Sequence, residues 1–272
     1  MVPTRQIKLL TILTLAAISA VSVHAQSDAS TPPAQPTAQI QTNAPPPKPK
    51  AVWKSRVAVG LTMTSGNSET TLATVSADTS RKTDENEWSL GVDGAYGRSK
   101  VSGQTNTTTT AELLHGFSQY NQLFTERFYG LGRVEGVHDG VADLKYRVSL
   151  NLGVGYYFIK NTNTDLCAEV GPGYVFQQQD NETTRYAALR VGEKFHQALS
   201  DRARLWQMAE WAPQVDKFQN YVINAELGIE ADLTKDKKFA LRSYVTDTFN
   251  SEPAPDRKKN DLTWVTAIAY KF

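Results

Sequence analysis

One cysteine, Cys167, is all that 272 residues contain, so no intramolecular disulfide can staple the chain, and Cys167 stands too far along to be a lipid-anchor residue. It reads as a small buried side chain in a strand. Long apolar runs are equally scarce. After Ala20 no stretch is long enough to cross a bilayer as a helix. Neither sign of charge dominates, with 29 Lys and Arg against 28 Asp and Glu, so no nucleic-acid partner is expected. Histidine is sparse too. His115, His138 and His196 fall in separate segments without metal-ligand spacing, and no serine sits in a nucleophile-elbow context. The run Gly130 to Gly136 superficially resembles a dinucleotide loop, but no helical pattern follows it. The sequence thus offers no catalytic residue, cofactor site or metal site.

What is there begins with a leader. Arg5 and Lys8 precede the apolar run Leu9 to Ala20, and Val23-His24-Ala25 forms a small-x-small cleavage site. Residues 1–25 are expected to be a signal peptide cut after Ala25, leaving Gln26 first. Loss of Arg5 and Lys8 leaves 27 basic against 28 acidic side chains. Residues 26–51 hold seven of the 12 prolines, including Pro45-Pro46-Pro47, and read as an extended, flexible periplasmic linker.

Residues 52–272 carry the decisive pattern. From Leu144 to Phe158 every second residue is apolar: Leu144, Tyr146, Val148, Leu150, Leu152, Val154, Tyr156 and Phe158. Between them stand Lys145, Arg147, Ser149, Asn151, Gly153, Gly155 and Tyr157. Period two is a strand with one apolar face, and this one far exceeds the usual ~5–6 residues of a soluble sheet. One face suits lipid and the other water. Such segments recur about every 18 residues, separated by polar turn clusters, and twelve can be counted from Trp53 to the end. The spacing predicts an all-β, transmembrane, antiparallel up-and-down barrel of twelve strands, or ten if two weak segments are loop. A soluble sandwich or a periplasmic barrel shares the alternation. Compact turns are expected near Thr162, Ser200 and Asp236, with longer loops on the other side, and Pro172 between Gly171 and Gly173 is expected to mark a kink.

The predicted inward faces mix charges: Lys54, Arg56, Lys145, Arg147, Arg190, Lys194 and Arg242 against Asp93, Glu112, Glu169, Glu226 and Glu230. Such a lumen is either a narrow passage for small solutes or a plug of ion pairs. The chain ends on alternating Leu262, Trp264, Ile268, Tyr270 and Phe272, and a final strand with Tyr270 and Phe272 at its end resembles the signal read by the outer-membrane assembly machinery. Arg257-Lys258-Lys259, in a predicted external loop, offer cations to lipopolysaccharide phosphates.

Several stretches are similar to the bacterial family of salt-induced outer-membrane proteins, a domain of unknown function. They are Gly60-Leu61 with Thr64-Ser65-Gly66-Asn67-Ser68, Tyr146 to Tyr156, Glu169-Val-Gly-Pro-Gly-Tyr174, Leu199-Ser200-Asp201-Arg202, Ser251-Glu252-Pro253 with Lys258 and Lys259, and Tyr270-Lys271-Phe272. The resemblance spans about Val57 to Phe272. It implies an outer-membrane location, with membrane lipid as surroundings, and a salt or osmotic link. It brings no catalytic residues. A surface lipid-acting hydrolase or a soluble binding barrel in the periplasm is the alternative reading.

Overall fold

The computed structural model describes residues 51–64, 68–101, 106–253 and 258–272. The expected leader with its cut after Ala25, the linker up to Lys50, the turn residues 65–67 and Arg257 lie outside them.

Twelve strands follow one another: β1 (Lys54–Thr64), β2 (Ser68–Lys82), β3 (Asn86–Val101), β4 (Thr107–Leu123), β5 (Phe128–Asp139), β6 (Leu144–Lys160), β7 (Thr164–Gln179), β8 (Glu182–Ala198), β9 (Ala203–Gln214), β10 (Lys217–Asp232), β11 (Phe239–Asn250) and β12 (Asn260–Lys271). Each pairs antiparallel with its sequence neighbours, and β1 closes onto β12, giving an up-and-down barrel. The count is twelve, and every weak segment of the sequence pairs as a strand. An even number returns Lys54 and Phe272 to one rim, where Ser55 and Phe272 exchange backbone hydrogen bonds.

The alternation sorts into two faces. Val59, Leu61, Leu90, Val92, Leu150, Leu152, Val154, Leu227, Ile229 and Ile268 are exposed on the outside, a distribution that a water-soluble barrel would invert. Aromatic side chains bound this aliphatic band at both ends. Trp88 packs tilted against Tyr120, Tyr156 edge-on to Phe158 and Phe239 tilted against Tyr270 toward the rim that holds the termini. Tyr174 with Phe176 and Tyr221 with Phe249 do the same toward the opposite rim.

Three local features depart from the alternation read in the sequence. Leu144 is buried, because a bulge between Leu144 and Tyr146 shifts the phase of β6 by one residue. Lys145, expected to face the lumen, therefore lies in that bulge at the rim away from the termini, exposed, with its Nζ donating to Asn181 Oδ1 at 2.8 Å. Pro172 introduces no bulge: Asn151 pairs with Gly173 and Val154 with Val170 in the same register, and only the ladder between them is interrupted. Proline has no N–H to give, and Gly153 and Gly171 let the two backbones close over the gap. The adjacent Leu113 and Leu114 resolve with Leu114 outward and Leu113 on the inner phase of His115.

Connections are short at both rims but for the one longer loop expected between Asn250 and Asn260, on the side away from the termini. Asp180 and Asn181 alone join β7 to β8, with φ of 47° and 60°, the paired left-handed geometry of a two-residue hairpin that Asp and Asn accept readily. Only residues 251–259, between β11 and β12, make a longer link.

Candidate functional site

The inner wall is built on glycines facing aromatic rings. A Cβ on Gly228 of β10 would collide with the indole of Trp206, so only glycine lets that ring lie flat on the wall. Gly91 under Phe117 and Gly155 under Tyr129 repeat the arrangement. Cations then cover the rings. The Arg133 guanidinium sits 4.4 Å from the Phe117 centroid, and Arg242 sits 4.7 Å from Trp206 and 5.4 Å from Tyr244. Strand order, small residues and aromatic backing thus fix the cations within the lumen.

Two polar networks span it. The first ties the closing strands to their neighbours through Glu230, which is 0% exposed. Arg56 Nη1 donates to Glu230 Oε2 at 2.6 Å and Lys271 Nζ to Oε1 at 3.1 Å, with Arg204 and Arg242 each 3.5 Å away. Asp78 takes Arg56 at 2.8 Å, and Asp232 takes Lys271 and Arg204. Four cations meet three carboxylates. Arg242 Nε and Asp232 Oδ2 are buried without a hydrogen-bond partner among the described residues.

The second network centres on Glu169 of β7, 2% exposed. It accepts from Arg190 at 2.9 Å, Lys194 at 3.0 Å, Gln119 at 2.8 Å and Tyr129 at 3.0 Å. Arg190 also binds Glu210 at 2.7 Å. Lys194 on β8 reaches Gln119 on β4 at 3.2 Å, a chord over four strands. Gln119 passes the chain to Asn121, and Asn121 to Glu87, which Tyr157 holds at 2.7 Å. Nearby, His115 lies between Asp93, 2.7 Å from Nδ1, and Glu135, 3.2 Å from Nε2. Buried charges are tolerable only when paired and hydrogen-bonded in this way.

Between the networks one cavity of about 2050 Å³ fills the lumen. Its lining runs from Lys82, Thr162 and Ser200 at the rim of the termini to Asp139, Gln179 and Thr248 at the other.

The sequence candidates distribute as follows. Arg56, Glu230 and Arg242 join in the first network and Glu169 anchors the second. Asp93 meets His115, Glu226 accepts from Trp206 Nε1 at 2.5 Å, and Arg147 donates to Gln177 at 2.9 Å. Lys54 opens β1 at the rim, exposed, and Lys145 leaves the wall at the bulge. Glu112 pairs with the outward-facing Tyr96 and shares its face. Reading single segments missed Glu87, Gln119, Tyr129, Arg133, Arg204, Asp232 and Lys271. Their inward phase follows once each strand's register is fixed, but their partners range from the same strand, as for Arg133 with Glu135, to one four places away, as for Gln119 with Lys194. Cys167 packs with Tyr129, Leu131 and Tyr157. Among the described residues no group of three His, Cys, Asp or Glu side chains is placed to hold a metal.

An outward apolar band between aromatic girdles, around a polar charged lumen in a closed antiparallel sheet, defines an inside-out β-barrel. Residues 57–272 match the family described as protein of unknown function, DUF481, and the chain belongs to it. Among curated proteins none matches. Among solved structures the chain is similar to the NanC porin, with 6% identity and a TM-score of 0.49 over 81% of this chain and 100% of that one. It is also similar to an outer membrane channel from Pseudomonas putida F1, with 10% identity and a TM-score of 0.45 over 82% and 95%. The translocator domain of the autotransporter NalP from Neisseria meningitidis gives 13% identity and a TM-score of 0.44 over 81% and 88%. At such identities and TM-scores these likenesses say nothing of function.

Proposed function

We propose that this chain is an outer-membrane barrel whose lumen is a narrow, passive passage for small hydrophilic solutes. The observation that carries the reading is the cavity lined from rim to rim by paired charges inside an apolar outer band. Spread over a hydrocarbon core ~30 Å thick, its volume averages on the order of 70 Å² in section, a bore of roughly 9 Å. That suits a small ion or organic solute and excludes folded protein. The rim with both termini then faces the periplasm, export depends on the leader ending at Ala25, and Tyr270 and Phe272 serve the assembly machinery. Lys258 and Lys259 face lipopolysaccharide phosphates from the far rim. We propose no catalysis, since both nitrogens of His115 already lie against carboxylates. The salt link implied by the family resemblance belongs to the proposal too, and the barrel's abundance in outer membranes is expected to change with medium salt.

Refolded protein in a planar bilayer tests the passage. Discrete conductance steps under a salt gradient are expected. A folded, heat-modifiable barrel that stays silent would favour a second reading, a lumen closed by its ion pairs, which the Lys194–Gln119 chord supports.

A further inference from the structure

The seam where the barrel closes is only half made. β1 pairs with β12 from Arg56 with Lys271 to Gly60 with Ala267, five residue pairs. On their other edges the ladders run on, β1 with β2 up to Thr64 and β12 with β11 up to Asn260. From Leu61 on β1 and Thr266 on β12 toward the rim away from the termini, the described residues form no rung across the seam. Gly60 marks the last close approach, since a Cβ there would lie 2.8 Å from Thr266 O. Among the described residues the parted length runs from Leu61 to Thr64 opposite Thr266 to Thr263, roughly 13 Å along the strand.

Side-chain exposure follows the parting. On the outer face of β12, Tyr270 and Ile268 are 40% and 48% exposed where β1 pairs, whereas Trp264 and Leu262 are both 70% exposed where it does not. The lumen cavity reaches this level on both sides of β1, touching Leu72 and Thr74 of β2 and Thr263 and Val265 of β12. The inner side of the seam is packed by Ala58, Ala240, Ala267 and Ala269 with Tyr244 against them, and Val265 carries this packing one step past the last rung. Unpaired strand edges facing hydrocarbon are not tolerated in the lipid-facing wall of a barrel. The edge needs a polar partner, while the exposed side chains flanking it, Leu61, Leu262 and Trp264, need an apolar one. An amphiphile supplies both, with its polar part toward the wet lumen and its chain between the strands.

We infer that the parted β1–β12 seam is a lateral portal that admits the alkyl chain of a membrane amphiphile between the bilayer and the lumen. The inference rests on the membrane placement proposed above, and goes beyond a passage running only from rim to rim. It is tested in phospholipid nanodiscs with full-length protein carrying Cys167→Ala and one benzophenone-labelled cysteine at a time. Ile268→Cys probes the outer wall, Ser149→Cys the lumen wall far from the seam, and Thr263→Cys the inner side of the parted seam. Photo-capture of lipid is expected at Ile268 and Thr263 and not at Ser149. In a protein also carrying Leu61→Cys and Thr266→Cys joined as a disulfide, capture at Thr263 is lost and capture at Ile268 is kept. Capture at Ile268 alone would overturn the portal and leave the membrane reading intact. No capture at Ile268 either would overturn the membrane reading. Capture of a second copy of the chain at Thr263 would also overturn the portal, making the seam an interface between copies.

Discussion

Arg56 and Glu230 stand 174 positions apart in the chain, yet Arg56 Nη1 donates to Glu230 Oε2 at 2.6 Å, fastening the first strand to the tenth across the seam. Glu230 lies within 3.5 Å of four cations. Removing a single partner from a buried pair is far worse than removing both, because it strands the charges left behind. Glu230→Gln is therefore expected to destabilise the folded barrel by about 3–5 kcal/mol. A combined Arg56→Met and Glu230→Met change should cost less than the sum of its parts. Urea unfolding in detergent, read by tryptophan emission, checks both, and strict additivity would count against the coupling.

Glu169 balances Arg190 and Lys194 in the middle of the lumen. Glu169→Gln leaves those cations in the lumen without their shared anion, so permeation through the proposed passage should tilt toward anions. The reversal potential under a potassium chloride gradient reads this directly. An unchanged potential in a conducting barrel would place the ion path away from Glu169.

Gly228 accepts the face of Trp206 so closely that no side chain fits beneath the ring. Gly228→Val should push the indole off the wall, taking Arg242 with it, and destabilise by about 1–3 kcal/mol as overpacking does. A red shift of Trp206 emission, isolated by replacing the other tryptophans with Phe, would accompany the loss. Equal stability and unchanged emission would mean the ring has another resting place.

The turn between β10 and β11 carries a pH dependence. Thr234 Oγ1 donates to Asp236 Oδ1 at 2.5 Å and the Lys238 N–H reaches it at 3.2 Å, which holds the Asp236 carboxyl below its ordinary value. A depressed carboxylate contributes stability that is present above its unfolded pKa and fades as pH falls through its folded one. Carbon-detected titration of Asp236 should give a midpoint under that of a free aspartate. Thr234→Ala should raise the midpoint, and an identical curve in the variant would show the hydroxyl to be idle.

Strand number and outer face were legible because period two is strict wherever lipid-like exposure selects it, as in Tyr221 to Ala231 and Leu262 to Phe272. Legibility failed where one extra residue entered a ladder. The bulge after Leu144 moved Lys145 out of the wall, and nothing in the sequence of Leu144-Lys145-Tyr146 announces it. At Pro172 the missing donor interrupts the ladder, and the flanking glycines absorb the gap without a change of register. The candidate site was visible only as charges on inner faces. Which charges meet depends on strand neighbours three or four places away, as for Arg56 with Glu230 and Lys194 with Gln119. That information lies in closure of the whole sheet and in no single segment.

The brevity of the turns has a bearing on how such a molecule is seen from outside. At the rim away from the termini, hairpins such as Asp180-Asn181 and Val215-Asp216 leave almost no chain standing clear of the wall. With the outer-membrane placement proposed above, an antibody, a phage tail or a protease would meet little chain at these described hairpins, and the longer link between β11 and β12 would be the place where sequence changes alter recognition.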